Sequence, residues 1–86
     1  MSTSTLELGD IININAPTNA EINDKTFLID YIDIDKRIDL IDGDTLNRKT
    51  LTLSSGVFDD KSINSIDLLD RSSFDGYAAQ NGLILG

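Results

Sequence analysis

Apolar and polar residues alternate with period two along most of the chain, the signature of strands that bury one face. Over residues 6–14, Leu6, Leu8, Ile12 and Ile14 fall on one side, with a bend expected at Gly9-Asp10. A polar stretch follows at 15–24, holding the single proline, Pro17, among Asn and Asp residues, and reads as a long loop. Residues 26–32 form a second strand with apolar side chains on both faces: Phe27, Ile29 and Tyr31 on one, Leu28 and Ile32 flanking Asp30 on the other. A short hairpin at 33–36 leads into a third strand, 37–41, in which Ile38 and Leu40 share a face. After the turn residues Asp42-Gly43-Asp44-Thr45, a fourth strand at 48–53 turns Leu51 and Leu53 inward and Thr50 and Thr52 outward.

Beyond Gly56 the alternation lapses. Residues 57–61 read as a loop pinned by Phe58, and 62–69 as a fifth strand at a sheet edge. The period then changes. Ser72-Ser73-Phe74-Asp75 fits a helix-start pattern, Phe74, Tyr77 and Ala78 share a helical face, and Asn81-Gly82 supplies a stop. Five short strands at roughly ten-residue spacing and a short C-terminal helix predict a mainly β fold, a small antiparallel SH3/Tudor-like barrel, with the OB-fold as competitor. The organisation expected is a flexible N-terminus at 1–5, one domain over 6–82, and an apolar tail at 83–86 that starts a linker or further module.

Composition narrows what such a barrel can do. The chain has 86 residues and 9.4 kDa, and area scaling hides only about 63% of so short a chain on folding, leaving a thin core. Twelve Ile against two Glu, and 13 Asp with seven Asn, favour strands and turns over helix interiors. Without Cys or His there is no disulfide, thiol nucleophile, Cys/His zinc site or imidazole chemistry. The net charge of -8 repels phosphates and disfavours nucleic acid. Neither a signal-like N-terminus nor an apolar run of spanning length is present, so a soluble, non-membrane chain is expected.

The order and spacing of several segments resemble the N-terminal β-rich domain of very large, functionally uncharacterised proteins of nucleocytoplasmic large DNA viruses, the mimivirus-like giant viruses. The residues that carry it are Leu8-Gly9-Asp10-Ile11-Ile12, Phe27-Leu28-Ile29-Asp30-Tyr31-Ile32-Asp33, Leu40-Ile41, Asp44-Thr45-Leu46, Asp59-Asp60-Lys61-Ser62-Ile63, Leu68-Leu69-Asp70-Arg71 and Gly76-Tyr77-Ala78-Ala79-Gln80-Asn81-Gly82-Leu83. The chain departs from that pattern at Ile84-Leu85-Gly86, where Leu-Pro is expected. The resemblance implies a viral setting, virion or host cytoplasm, and further β-rich modules downstream. It carries no activity to any residue.

Candidate chemistry is sparse. Asp33-x-Asp35 and Asp42-x-Asp44 suggest calcium ligands but miss the spacing of an EF-hand loop, and they suit hairpin turns better. Carboxylate pairs such as Asp59-Asp60, or Asp30 with Asp39, lack the cleft that acid-base catalysis needs, so no enzyme, cofactor or metal is expected. Tyr31 and Phe58 are the aromatic pair available for a cage around a cationic ligand, with Lys36 and Arg37 beside them as a partner surface. Lys36-Arg37 and Arg48-Lys49 flank a common edge if strands three and four pair. The function expected is a non-catalytic interaction or structural module that engages a protein partner, downstream domains, or a second copy through an edge strand. The alternative is a Tudor/KOW-like reader of a basic peptide tail or nucleic acid.

Overall fold

A computed structural model of the chain describes residues 6–70; the expected helix and apolar tail lie outside them. Six strands follow one another: β1 (Ile11–Asn15), β2 (Lys25–Asp33), β3 (Arg37–Asp42), β4 (Arg48–Ser54), β5 (Val57–Phe58) and β6 (Ser65–Leu69). They form one antiparallel sheet in the order β5-β4-β3-β2-β1-β6. Strands β1 to β5 are a meander, and β6 returns to pair with β1. The described fold is mainly β, a curled half-barrel.

The curl is visible in the core. Ile12 and Ile14 of β1, Phe27 and Ile29 of β2, Ile38 and Leu40 of β3, Leu51 and Leu53 of β4 and Phe58 of β5 belong to one buried cluster. Three residues from connections, Ala16, Ile22 and Ile63, complete it. The segment between β1 and β2 is therefore not simply a polar loop, since Ile22 is 1% exposed. Its backbone coils tightly, with the Asn23 N–H donating to the Asn19 carbonyl at 2.9 Å and the Ala16 N–H to Asn23 Oδ1 at 2.8 Å. That coil turns Ile22 inward and leaves Thr18, Ala20 and Glu21 exposed.

Three expectations about the strands are corrected. The first strand starts at Ile11, not Leu6, because a turn at residues 7–10 interrupts the alternation. There the Asp10 N–H meets the Glu7 carbonyl at 3.1 Å, Asp10 Oδ2 accepts from the Glu7 N–H at 2.8 Å, and Gly9 takes φ +89°. Leu6 still packs on the core, whereas Leu8 is 66% exposed. Second, residues 57–61 are not all loop: Leu53 pairs with Phe58 and Ser54 with Val57, giving a sixth strand. The two residues between them, Ser55 (φ 53°) and Gly56 (φ 79°), both lie in the left-handed region, the conformation of a tight hairpin turn whose twist matches the strands it joins. Third, the last strand begins at Ser65 rather than Ser62, because Asp60 caps a turn in which the Ser62 N–H and O–H reach Oδ1 at 2.9 and 2.5 Å.

In β2 the register slips between Ile29 and Tyr31, so that Ile29 faces Leu40 but Tyr31 faces Asp39. The extra residue, Asp30, makes a β-bulge, which reverses the alternation downstream. Ile32 consequently packs on the core, and Tyr31 does not share the face of Phe27 and Ile29. On the face opposite the main core, Leu69, Ile11, Leu28 and Ile41 stand in register across four strands, and the buried Ile11, Leu28 and Ile41 pack with Leu46 and Leu69 as a second apolar cluster.

Candidate interaction surfaces

The proposed aromatic pair is divided between the two faces of the sheet. Phe58, 1% exposed, is spent in the core. Tyr31 is 42% exposed on the outer face, but the Arg37 guanidinium lies over its ring, 4.7 Å from the centroid. Arg37 Nε also sits 3.4 Å from Asp39 Oδ1, which accepts the Thr50 hydroxyl proton at 2.8 Å. Because Tyr31 opposes Asp39 across β2 and β3 while Asp39 opposes Thr50 across β3 and β4, cross-strand register alone assembles this group. The result is an internal cation–π and hydrogen-bonded patch. Phe58 cannot join Tyr31 around a ligand from the interior of the sheet.

Lys36 lies exposed at the β2–β3 turn, where its carbonyl accepts from the Leu53 N–H at 2.8 Å. The two basic pairs do not flank one edge. Antiparallel pairing sets Arg37 against Thr52 and Arg48 against Ile41, at opposite ends of the β3–β4 ladder. Arg48 pairs with Asp30 at the bulge, and Lys49 Nζ reaches Glu21 Oε2 at 2.6 Å. Hydrogen bonding to Lys49, and then its charge, hold the Glu21 carboxyl below its ordinary pKa.

A cavity of about 230 Å³ opens near these pairs, lined by Glu21, Phe27, Asp42, Thr45, Arg48 and Lys49 among others. Its polar groups largely satisfy one another. Asp42 Oδ1 accepts the Asp44 and Thr45 N–H groups at 2.7 and 3.4 Å, as Asp33 Oδ1 accepts that of Asp35 at 3.0 Å. These aspartates work as turn formers, each replacing a backbone acceptor with its own carboxylate. Among the described residues no three acidic side chains converge on a common point.

One of the sheet's two margins is β6. Strand β6 pairs with β1 over Ser65–Leu69, and among the described residues no strand adjoins its other edge. Ile66, opposite Ile14, packs half-buried on the core, whereas Leu68, opposite the fully buried Ile12, is 56% exposed. Asp67 and Asp70 are exposed, and neither β1 nor β6 contains a Lys or Arg. The edge that a residue pattern had suggested is thus present, though shorter. Of the surface residues singled out in the sequence, Tyr31, Phe58, Lys36 and Arg37, none lies on it. Exposed Leu68 was legible only as an apolar partner of Leu69.

Comparison with protein-family models, curated proteins and solved structures finds no match for the chain.

Proposed function

We propose that this chain is a non-catalytic interaction module that engages another protein through its sheet margin. The observation that carries the reading is β6, a terminal strand with its outer edge unpaired among the described residues and Leu68 open to solvent beside the core. An unpaired strand offers a row of backbone donors and acceptors to any extended chain, and an apolar side chain next to it rewards the pairing. The strand order, a meander whose last strand returns to the first, supports an SH3-like roll as its architecture. The resemblance to N-terminal domains of giant-virus proteins supplies the setting we propose, one module of a larger viral protein.

The geometry weighs against a cage-type reader, because Arg37 already occupies the Tyr31 ring and Phe58 is buried. Selection from a displayed random-peptide library on the immobilised chain tests the choice. Recovered peptides should have strand-like alternation and keep their affinity for a Tyr31→Ala variant. Failure to recover any peptide, with binding of methyllysine peptides or oligonucleotides that Tyr31→Ala abolishes, would overturn it.

A further inference from the structure

Resting on that reading, we propose that the β6 edge takes an extended, basic strand from a partner protein, one alternating Lys or Arg with apolar residues. Period two fixes this chemistry. A strand laid beside β6 places alternate side chains next to Ile66 and Leu68 on the core side, where Leu68 is 56% exposed and needs an apolar neighbour. Its other side chains fall beside Ser65, Asp67 and Leu69, of which Asp67 is exposed. Cationic residues fit there: opposite charges on adjacent strands attract, and β1 and β6 hold no cation of their own.

The same charge disfavours a second copy as occupant. Antiparallel pairing of β6 with itself centres on Asp67, the middle of the strand, and sets two carboxylates opposite each other. Two chains of net charge -8 also repel at long range, whereas a basic partner is steered inward. Edge strands are commonly guarded by Lys, Pro or a bulge. Strand β6 has neither Lys nor Pro and an unbroken register with β1, so its single charge acts as a selector of partner sign.

The test uses the full chain, isotope-labelled, titrated with a short capped peptide of alternating Lys and Val, and in parallel with its Glu-Val counterpart. The Lys-Val peptide should perturb and protect the amides of Ser65–Leu69. An Asp67→Lys variant, whose exposed position leaves the fold intact by circular dichroism, should weaken the Lys-Val peptide about fivefold to tenfold at low salt and favour Glu-Val. Equal affinity for the two peptides, no response to Asp67→Lys, or perturbations mapping away from β6 would overturn the proposal. If library peptides bind at β6 with no preference for cationic residues, the proposed function stands and this partner chemistry falls; if no peptide binds β6 in either experiment, both fall.

Discussion

Arg37 lies over the ring of Tyr31, its guanidinium carbon 4.7 Å from the centroid, on the outer face of the sheet. The pair exists because the bulge at Asp30 brings Tyr31 opposite Asp39, whose carboxylate stands 3.4 Å from Arg37 Nε. Both partners are substantially exposed, so water and salt screen the attraction. Tyr31→Ala and Arg37→Ala should each cost about 1 kcal/mol or less in urea unfolding, and their double-mutant coupling should be about 0.5 kcal/mol. A coupling several times larger would show that the patch is a structural anchor.

The connection between β1 and β2 should respond very differently. Ile22→Ala removes a side chain that is 1% exposed in the main core and should cost about 2–5 kcal/mol. Phe58→Ala should cost about 3–5 kcal/mol, enough to unfold much of so small a domain. Ile34→Ala, at a 52% exposed position in the β2–β3 turn, should stay within about 0.5 kcal/mol of wild type. Urea denaturation of the three variants distinguishes them.

These positions mark how far the sequence was readable. Strands β3 and β4 emerge from simple alternation because each sends an alternating apolar pair into the main core, Ile38 with Leu40 and Leu51 with Leu53. Tyr31 was placed on the wrong face, since period two carries no record of one inserted residue and β2 is apolar on both sides. Leu8 was lost to the turn at residues 7–10, whose αL glycine was legible only as a bend. Ile22 was hidden by polar neighbours, because a coil, unlike a strand, turns a lone residue inward at no fixed period. Phe58 stands out as an aromatic, but Ser55-Gly56 reads only as the end of a strand, because Ser is not the usual first residue of the hairpin turn it makes. The β6 edge was anticipated; its exposed Leu68 depends on where the sheet ends, which local pattern does not encode.

That Ser55-Gly56 turn makes its own prediction. Ser55 adopts φ 53° without the tolerance of Asn or Gly for that region, so Ser55→Asn should stabilise the protein by a few tenths to about 1 kcal/mol. Gly56→Ala, at φ 79°, should destabilise it by roughly 1–2 kcal/mol. Thermal melts of both variants give the signs directly, and a stabilising Gly56→Ala would contradict the turn assignment.

Acid sensitivity should trace in part to Asp60. The Ser62 hydroxyl and then its N–H, with a smaller contribution from Asn19, hold the Asp60 carboxyl below its ordinary pKa. A depressed folded pKa contributes stability that is present above the unfolded value near about 4 and is lost as pH falls through the folded value. Ser62→Ala should therefore lower stability at neutral pH, and this electrostatic part of the deficit should shrink as pH falls below about 4. Urea unfolding of both proteins at neutral pH and at about pH 2.5 checks this; a deficit independent of pH would remove Asp60 as its cause.

The open β6 edge is the claim on which the proposed function stands, and amide hydrogen exchange along Ser65–Leu69 in the free 86-residue chain tests it most directly. In an antiparallel edge strand, amides alternate between those bonded to the neighbour and those facing outward. The account predicts alternating slow and fast exchange, the slow amides being those directed at β1. Uniformly slow exchange along β6 would mean that the edge is already occupied, and would contradict it.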